Sequence, residues 1–366
     1  MPAVHEARRA RLRERLRTEV PDADALLVTS LVNVRYLTGF SGSNGALLVP
    51  ADAADDDLLA TDARYTVQAV DEAGAALPLL VARACAEALA EQASARGLVA
   101  LAVEGDDLSL NRHARLQRGA QGTRLIPTSG LVERLRAVKD DGELALLAEA
   151  CAISVAAFDQ LVDAGPWEGR TELELAADLE ARMRALGAEA LAFESIVGGG
   201  PHSAVPHHRP TDRPVVRGDL VVLDFGARVQ GYHADMTRTV VVGAPAAWHL
   251  EIADVVRAAQ RVGREAVAAG AECADVDART RAVVEAAGYG EAFGHGTGHG
   301  VGLEIHEAPA IGPGATGRLA DRMPVTVEPG VYLPGRGGVR VEDTVVVDGP
   351  APRVLTTTSR ELRVLR

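Results

Sequence analysis

The sequence predicts a two-domain chain of mixed fold class, an α/β domain at the N-terminus followed by an α+β domain. Three observations carry that division. Between about residues 5 and 126, helix-like and strand-like segments alternate, which favours helices packed about a mixed or parallel sheet. Beyond residue 140, amphipathic helices are interleaved with strand-turn-strand ribbons, the pattern of an α+β domain. The later domain also has an acid in each of a pair of apolar runs, Asp224 in Val221-Val222-Leu223-Asp224-Phe225-Gly226 and Glu328 in Val325-Thr326-Val327-Glu328-Pro329-Gly330. A charge inside such a run must be paired or metal-bound to be tolerated. The boundary is expected near residue 135, giving domains 1–135 and 136–366.

The charged, amphipathic stretch 5–17 predicts a helix leading into a strand at 25–28. Strands at 46–49 and 58–60, a helix at 63–73, a strand at 77–81, a helix at 84–94 and a strand at 98–103 follow. The acidic run Asp55-Asp56-Asp57 reads as a solvated turn. Residues 140–162 predict a long helix, because Asp140, Asp141 and Glu143 place negative charge where the helix dipole prefers it. Thr171 and Glu174 have the spacing of a capping box opening a helix over 171–186. Further helices are expected at about 247–269 and 275–287.

At 366 residues the chain is long enough for two cores, and 47% hydrophobic with 24% charged residues describes an ordinary globular protein. A net charge of -13 argues against nucleic acid or an anionic membrane as partner, since both require clustered basic residues. Residues 1–20 lack the apolar core of a secretory signal, and no stretch is expected to approach the ~20 apolar residues of a membrane span. Cys85, Cys151 and Cys273 are odd in number and far apart, which indicates neither a disulfide framework nor a zinc ribbon. A cytoplasmic setting is expected.

The chemistry concentrates in the C-terminal domain. Asp224 and Asp235 flank a turn at 228–231, and Glu328 and Glu342 flank another at 334–338. If each ribbon pairs about its turn centre, its two carboxylates face one another about 5 Å apart. Two such ribbons face to face put four carboxylates into one cavity, where they repel unless cations intervene. Together with the His299 imidazole they form an oxygen-rich set for two divalent ions, suited to Mn(II) first and also to Co(II), Zn(II) or Fe(II). A paired-metal centre activates water and polarises a carbonyl, so amide hydrolysis is its natural use. One acid alone in a strand is as readily a member of a buried ion pair; five ligand types in matching contexts favour metal. The run from Phe293 to Glu307 carries His295, His299 and His306 on a glycine-rich backbone able to approach a site closely. Its spacing is neither a dinucleotide fingerprint nor a phosphate loop. His207 and His208, after Pro206, are further candidates for a substrate pocket. His202 and His208 read equally as surface residues, and His5, His113, His233 and His249 as structural or solvated. Arg340 also reads as a counter-charge to a neighbouring acid such as Asp343.

These segments resemble the pita-bread metallopeptidase family, which includes methionine aminopeptidase, prolidase, aminopeptidase P and creatinase. The resemblance runs from about residue 139 to 361 through Leu223-Asp224-Phe225-Gly226, Ala234-Asp235-Met236-Thr237-Arg238-Thr239, the 293–307 run, Glu328-Pro329-Gly330 and Arg340-Val341-Glu342-Asp343. Asn33-Val34-Arg35-Tyr36-Leu37-Thr38-Gly39-Phe40-Ser41-Gly42-Ser43 and Thr61-Asp62-Ala63-Arg64-Tyr65 are similar to the creatinase-type N-terminal domain of its Xaa-Pro branch. The resemblance implies that Asp224 chelates one metal, Asp235 and Glu342 bridge both, and His299 and Glu328 bind the first, with Glu328 also shuttling the proton. It implies His207 and His306 as catalytic histidines on the substrate side, His295 as a pocket residue, and Arg340 and Thr237 as groups orienting the ligands. Pro206-His207-His208 departs from the family's Pro-His-Gly, and His202 stands where a small amide is common.

The resemblance further implies a cytoplasmic, homodimeric Xaa-Pro aminopeptidase that removes the first residue from peptides with proline in second position. Its first rival is a prolidase confined to dipeptides. A creatinase-like hydrolase is disfavoured by retention of all five ligands, and a non-catalytic peptide- or protein-binding relative by the compact chain.

Overall fold

The computed structural model describes residues 2–52 and 56–365. The chain divides into two compact units, Met1–Arg136 and Ala137–Arg366.

The first unit runs α1 (Pro2–Glu19), β1 (Ala25–Val28), α2 (Leu31–Thr38), β2 (Gly45–Pro50), β3 (Leu58–Thr61), α3 (Thr66–Ala73), β4 (Leu79–Val81), α4 (Cys85–Ala95), β5 (Ala100–Glu104), α5 (Leu110–Gly119), β6 (Arg124–Thr128) and α6 (Glu133–Arg136). Its strands form one mixed sheet in the order β4-β3-β2-β1-β5-β6. The central β1 pairs antiparallel with β2 and parallel with β5. Leu27, Leu48, Leu101 and Val103 bury one face against Leu89 and Ala90 of α4. Helix α3 starts later than its composition suggests, because the Asp62 carboxylate accepts from the Arg64 amide at 3.0 Å and closes a turn there. Helix α2 is an addition to the expected elements; Leu31, Val34 and Leu37 recur every three residues, as one face of a helix does, and Val34, Tyr36 and Leu37 are buried. Asn33 on α2 donates to both Glu104 and Glu133 at 2.6 Å, so this motif is packing. The solvated turn expected at 55–57 needs correction. Asp55 lies outside the described residues, and Asp57 is buried, ion-paired with Arg9 at 2.6 Å and with Arg13.

The second unit contains α7 (Asp141–Asp163), α8 (Glu172–Ala185), β7 (Ala190–Leu191), β8 (Ile196–Gly199), β9 (Leu220–Phe225), β10 (Ala227–Val229), β11 (Tyr232–His233), β12 (Met236–Val242), α9 (Ala247–Ala266) and α10 (Cys273–Ala286). Strands β13 (Gly298–Gly300), β14 (Glu307–Ile311), β15 (Pro324–Val327), β16 (Gly330–Leu333), β17 (Gly337–Arg340), β18 (Asp343–Val346), β19 (Arg353–Val354) and β20 (Arg363–Leu365) complete it. They form sheets in the orders β20-β12-β9-β8, β14-β13-β15-β18-β19, β11-β10-β7 and β16-β17. Ile252 and Val256 of α9 pack on Val241, Val331 and Val339, and Val276 of α10 joins Val325, Val327 and Val345.

Both helix starts carry complete capping boxes, Asp140 with Glu143 and Thr171 with Glu174. Contrary to the expectation of no such stretch, α7 is long and apolar enough by composition to cross a membrane. Leu144, Leu147, Cys151, Phe158 and Leu161 are nevertheless buried within its own unit, which accounts for that apolarity as core.

The ribbons differ in register. Val327 pairs with Asp343 and Gly330 with Arg340, so Glu328 and Glu342 fall opposite one another, as pairing about the turn centre requires. In the other ribbon Asp224 pairs with Thr237, not with Asp235. The turn closes between Val229 and Tyr232, with Gln230 at φ 46° and Gly231 at φ 85°. That position shifts the register by two residues, which keeps every side chain on its face. Asp235 is therefore diagonal to Asp224 and still turns to the same side.

Candidate metal centre and substrate cleft

The two ribbons and the 295–306 segment enclose a cleft of about 790 Å³ within the second unit. Asp224, Asp235, His295, His299, His306, Glu328, Arg340, Glu342 and His207 all line it. Thr237, the remaining expected site residue, is fully buried behind the carboxylates.

Glycines place His299. A Cβ at position 298 would stand 2.0 Å from the Thr326 carbonyl oxygen, and one at 300 would stand 2.2 Å from that of Ala308. Only glycine lets β13 lie this close to its neighbours, so the Gly-His-Gly pattern wedges one imidazole between two strands. Its Nε2 lies 3.5 Å from Asp235 Oδ2 and 3.4 Å from Glu328 Oε1. Nδ1 stands 3.0 Å from the Gly300 carbonyl oxygen, which fixes it as the protonated nitrogen and directs the Nε2 lone pair at the acids. Asp235, His299 and Glu342 bring donor atoms within 4.8 Å of one another. The His306 ring packs edge-on against His299 at 4.3 Å.

The four acids are poorly neutralised. Burial, with Glu342 and Asp224 close by, raises the Asp235 carboxyl well above its ordinary value. Burial, Glu328 and Asp224 do the same to Glu342, and Glu328 is pushed up to about 8 by burial and by Asp224. Arg340 gives partial relief, donating to Asp224 Oδ2 at 2.6 Å and to the Thr237 hydroxyl at 3.0 Å, while that hydroxyl donates to Glu342 at 2.7 Å. Arg340 and Thr237 thus hold two acids in place. The reading of Arg340 as counter-charge to Asp343 is corrected: Asp343 is served by Arg238 and Arg360.

Two contributors carry no signal in the sequence. Tyr332 accepts from Arg340 at 2.8 Å and stands 2.9 Å from His295 Nε2. Burial lowers His295, and likewise His299, to about 4, so both are neutral at pH 7. The buried Glu172, legible in the sequence only as a residue of a helix start, organises the loop that carries His207. It contacts His202 Nδ1 at 2.8 Å and His208 Nε2 at 2.8 Å, and accepts from the Thr211 amide at 3.0 Å and the Gly199 amide at 2.8 Å. These bonds saturate the carboxylate, so Glu172, His202 and His208 act as a clamp. His202 and His208 are thereby tied to Glu172, whereas His207, which lines the cleft beside His208, has no such tie. The chain's single lysine, Lys139, is buried against Glu307 at 2.8 Å, the residue after His306.

Fold and site together define a metallopeptidase of pita-bread architecture. Residues 145–349 match metallopeptidase family M24 and residues 8–138 match the creatinase/prolidase N-terminal domain; the chain belongs to family M24. It is similar to the Xaa-Pro dipeptidase from Bacillus anthracis, with a TM-score of 0.92 and 38% identity over 98% of this chain and 100% of that one. It is also similar to the X-Pro aminopeptidase from Thermotoga maritima, with a TM-score of 0.85 and 36% identity over 94% and 98%. The Xaa-Pro dipeptidase of Pyrococcus horikoshii is 34% identical over 93% of this chain and 94% of its own length.

Proposed function

We propose that the protein is an Xaa-Pro dipeptidase, a prolidase, working with two divalent ions. The observation that carries this reading is the end-to-end similarity to the Bacillus anthracis Xaa-Pro dipeptidase, combined with convergence of all five candidate ligands on one cleft. The similarity to Xaa-Pro dipeptidases favours the dipeptidase alternative over the aminopeptidase first expected.

The residues fit a metal centre. Asp224 Oδ1 is buried without a hydrogen-bond partner, and three neighbouring carboxyls are raised by burial and by one another's charge, both of which cations would relieve. Asp224, Asp235, His299, Glu328 and Glu342 would hold the ions, Mn(II) first among the candidates. Ions bound there supply a lowered pKa for water and polarisation of the scissile carbonyl.

The chain's own groups do the rest. His207 and His306 flank the cleft and steady the carbonyl oxygen of the Xaa-Pro bond. Glu328, buried and basic for a carboxylate, carries the proton to the leaving prolyl nitrogen. Thr237 and Arg340 keep Glu342 and Asp224 from turning away. A prolyl nitrogen carries no N–H and fixes the chain direction, so a cleft shaped for it rejects ordinary peptides. A homodimer and a cytoplasmic setting belong to the same proposal, the second in keeping with three buried free cysteines.

Turnover of Ala-Pro and Ala-Pro-Ala by Mn(II)-loaded protein tests the reading. Activity confined to Ala-Pro is expected, and efficient cleavage of the tripeptide returns the assignment to an aminopeptidase.

A further inference from the structure

We propose that a second pocket of the C-terminal unit, between α9 and residues 359–361, binds a free, doubly charged tetrahedral oxyanion of the phosphate class through Arg261, Arg264 and Arg360. The pocket has a volume of about 540 Å³ and shares no lining residue with the metal-centre cleft. Arg257, Arg261 and Arg264 stand four and three residues apart on α9, which brings them to one face of the helix. Arg360 lines the same pocket from the C-terminal segment.

The site rests on a surplus of cations gathered around one acid. Asp343 Oδ1 accepts from Arg238 at 2.8 Å and from Thr356 at 3.0 Å, and Oδ2 accepts from Gln260 at 2.6 Å and from Arg360. Four donors use the lone pairs of both oxygens. Arg264 is left over: its Nε stands 3.9 Å from Asp343 Oδ2 and donates instead to the neutral Gln260 Oε1 at 3.3 Å. Both of its Nη atoms lack a protein partner among the described residues, as do those of Arg360. Partial burial, with Arg360 alongside, lowers the Arg264 guanidinium from its ordinary value, as befits a cation short of counter-charge. The acids on the pocket wall are engaged elsewhere. Asp254 and Glu361 both accept from Arg257, which lies about 10 Å along the helix from Arg264. Glu265 reaches Arg261 only at 3.4 Å with both side chains more than half exposed, a pairing that contributes little.

The wall opposite α9 is fixed in place. Buried Arg238 donates to the Thr358 carbonyl oxygen at 3.1 Å and to that of Ser359 at 2.9 Å, which holds the backbone on the N-terminal side of Arg360. The Ser359 hydroxyl accepts from the Glu361 amide at 3.2 Å and keeps its own proton for an anion. Guanidinium forks match tetrahedral oxyanions in two-point geometry, and holding them beforehand lowers the entropy lost on binding. A chain with a net charge of -13 otherwise disfavours anions, so this local excess singles the pocket out. Of the described lining residues Ala258 alone is apolar, which leaves no surface for a base or an acyl chain. A free ion is the ligand such a lining fits.

The test is equilibrium dialysis of Mn(II)-loaded protein against radiolabelled sulfate, a doubly charged tetrahedral probe and a weak ligand for Mn(II), with chloride holding the ionic strength constant. Wild type should take up sulfate with a Kd of about 1 mM or below. Arg264→Ala should weaken uptake about 10-fold or more, the range for losing a hydrogen bond to a charged group, and Arg264→Lys should recover some of it. Turnover of Ala-Pro without sulfate should be the same in wild type and both variants, which shows that they are folded. Arg261→Ala, at an exposed position, reads the same loss should Arg264→Ala fail to fold. No uptake by wild type, or undiminished uptake by folded Arg264→Ala, overturns the site.

Discussion

Glu342 and Asp343 are adjacent acids, both buried, and the protein treats them in opposite ways. Burial alone would raise Asp343, yet Arg238 and Arg360 hold it below its ordinary value, with further donors from Gln260 at 2.6 Å and Thr356 at 3.0 Å. Glu342 receives one hydroxyl, from Thr237, and is raised by burial and then by Glu328 and Asp224, which it faces. Alternation along the strand turns the two side chains to opposite faces. The inner face is neutralised by the chain's own cations and is structural. The cleft face is left with repelling oxygens, and that deficit is what a dication satisfies.

The contrast is broken most severely by Asp343→Ala. It leaves Arg238 buried and unpaired, and should cost about 3–5 kcal/mol in urea denaturation; a loss under about 1 kcal/mol would mean that the inner face is not ion-paired as described. Glu342→Gln should lower kcat/KM on Ala-Pro by about 100-fold or more, roughly 3 kcal/mol. Its metal-free form should be no less stable than wild type, because a repelling acid is gone. If calorimetry finds the two variants equally destabilised, the faces do not differ in kind.

Acidity gives a smaller effect. The Glu328 carboxyl is raised from 4.5 to about 8, so its contribution to stability is complete below pH 4.5 and is lost as pH rises through 8. Asp235 and Glu342 shift in the same sense. His295 and His299 act oppositely, since a folded value of about 4 against 6.5 costs stability as pH falls between those limits. Between about pH 7 and 9, EDTA-treated protein should therefore lose about 1 kcal/mol or more, and saturating Mn(II) should abolish the loss. A flat metal-free profile would remove the claim of mutual repulsion. Smallest is Tyr332→Phe, which removes one hydroxyl between His295 and Arg340. About 1 kcal/mol is expected in kcat/KM on Ala-Pro, and no change would assign that hydroxyl to packing.

Local chemistry determined much by itself. Thr171 and Glu174 announce a helix start because a capping box needs only three residues of separation. Gly298 and Gly300 announce a close approach because nothing larger fits between the strands. The ligand set was legible because an acid in an apolar run demands an explanation wherever the chain folds. What only the tertiary structure decided is where partners separated in sequence meet. The Asp224–Thr237 pairing depends on where a turn closes, the Tyr332–His295 contact spans 37 positions, and Glu172 joins residues up to 39 positions away. Apolar content could mark α7 as buried but not say in what, and the charge of Asp57 could suggest solvent while Arg9 and Arg13 take its place. Propensity and spacing act within a few residues, whereas counter-charge and register are settled by packing between segments that the sequence does not place side by side.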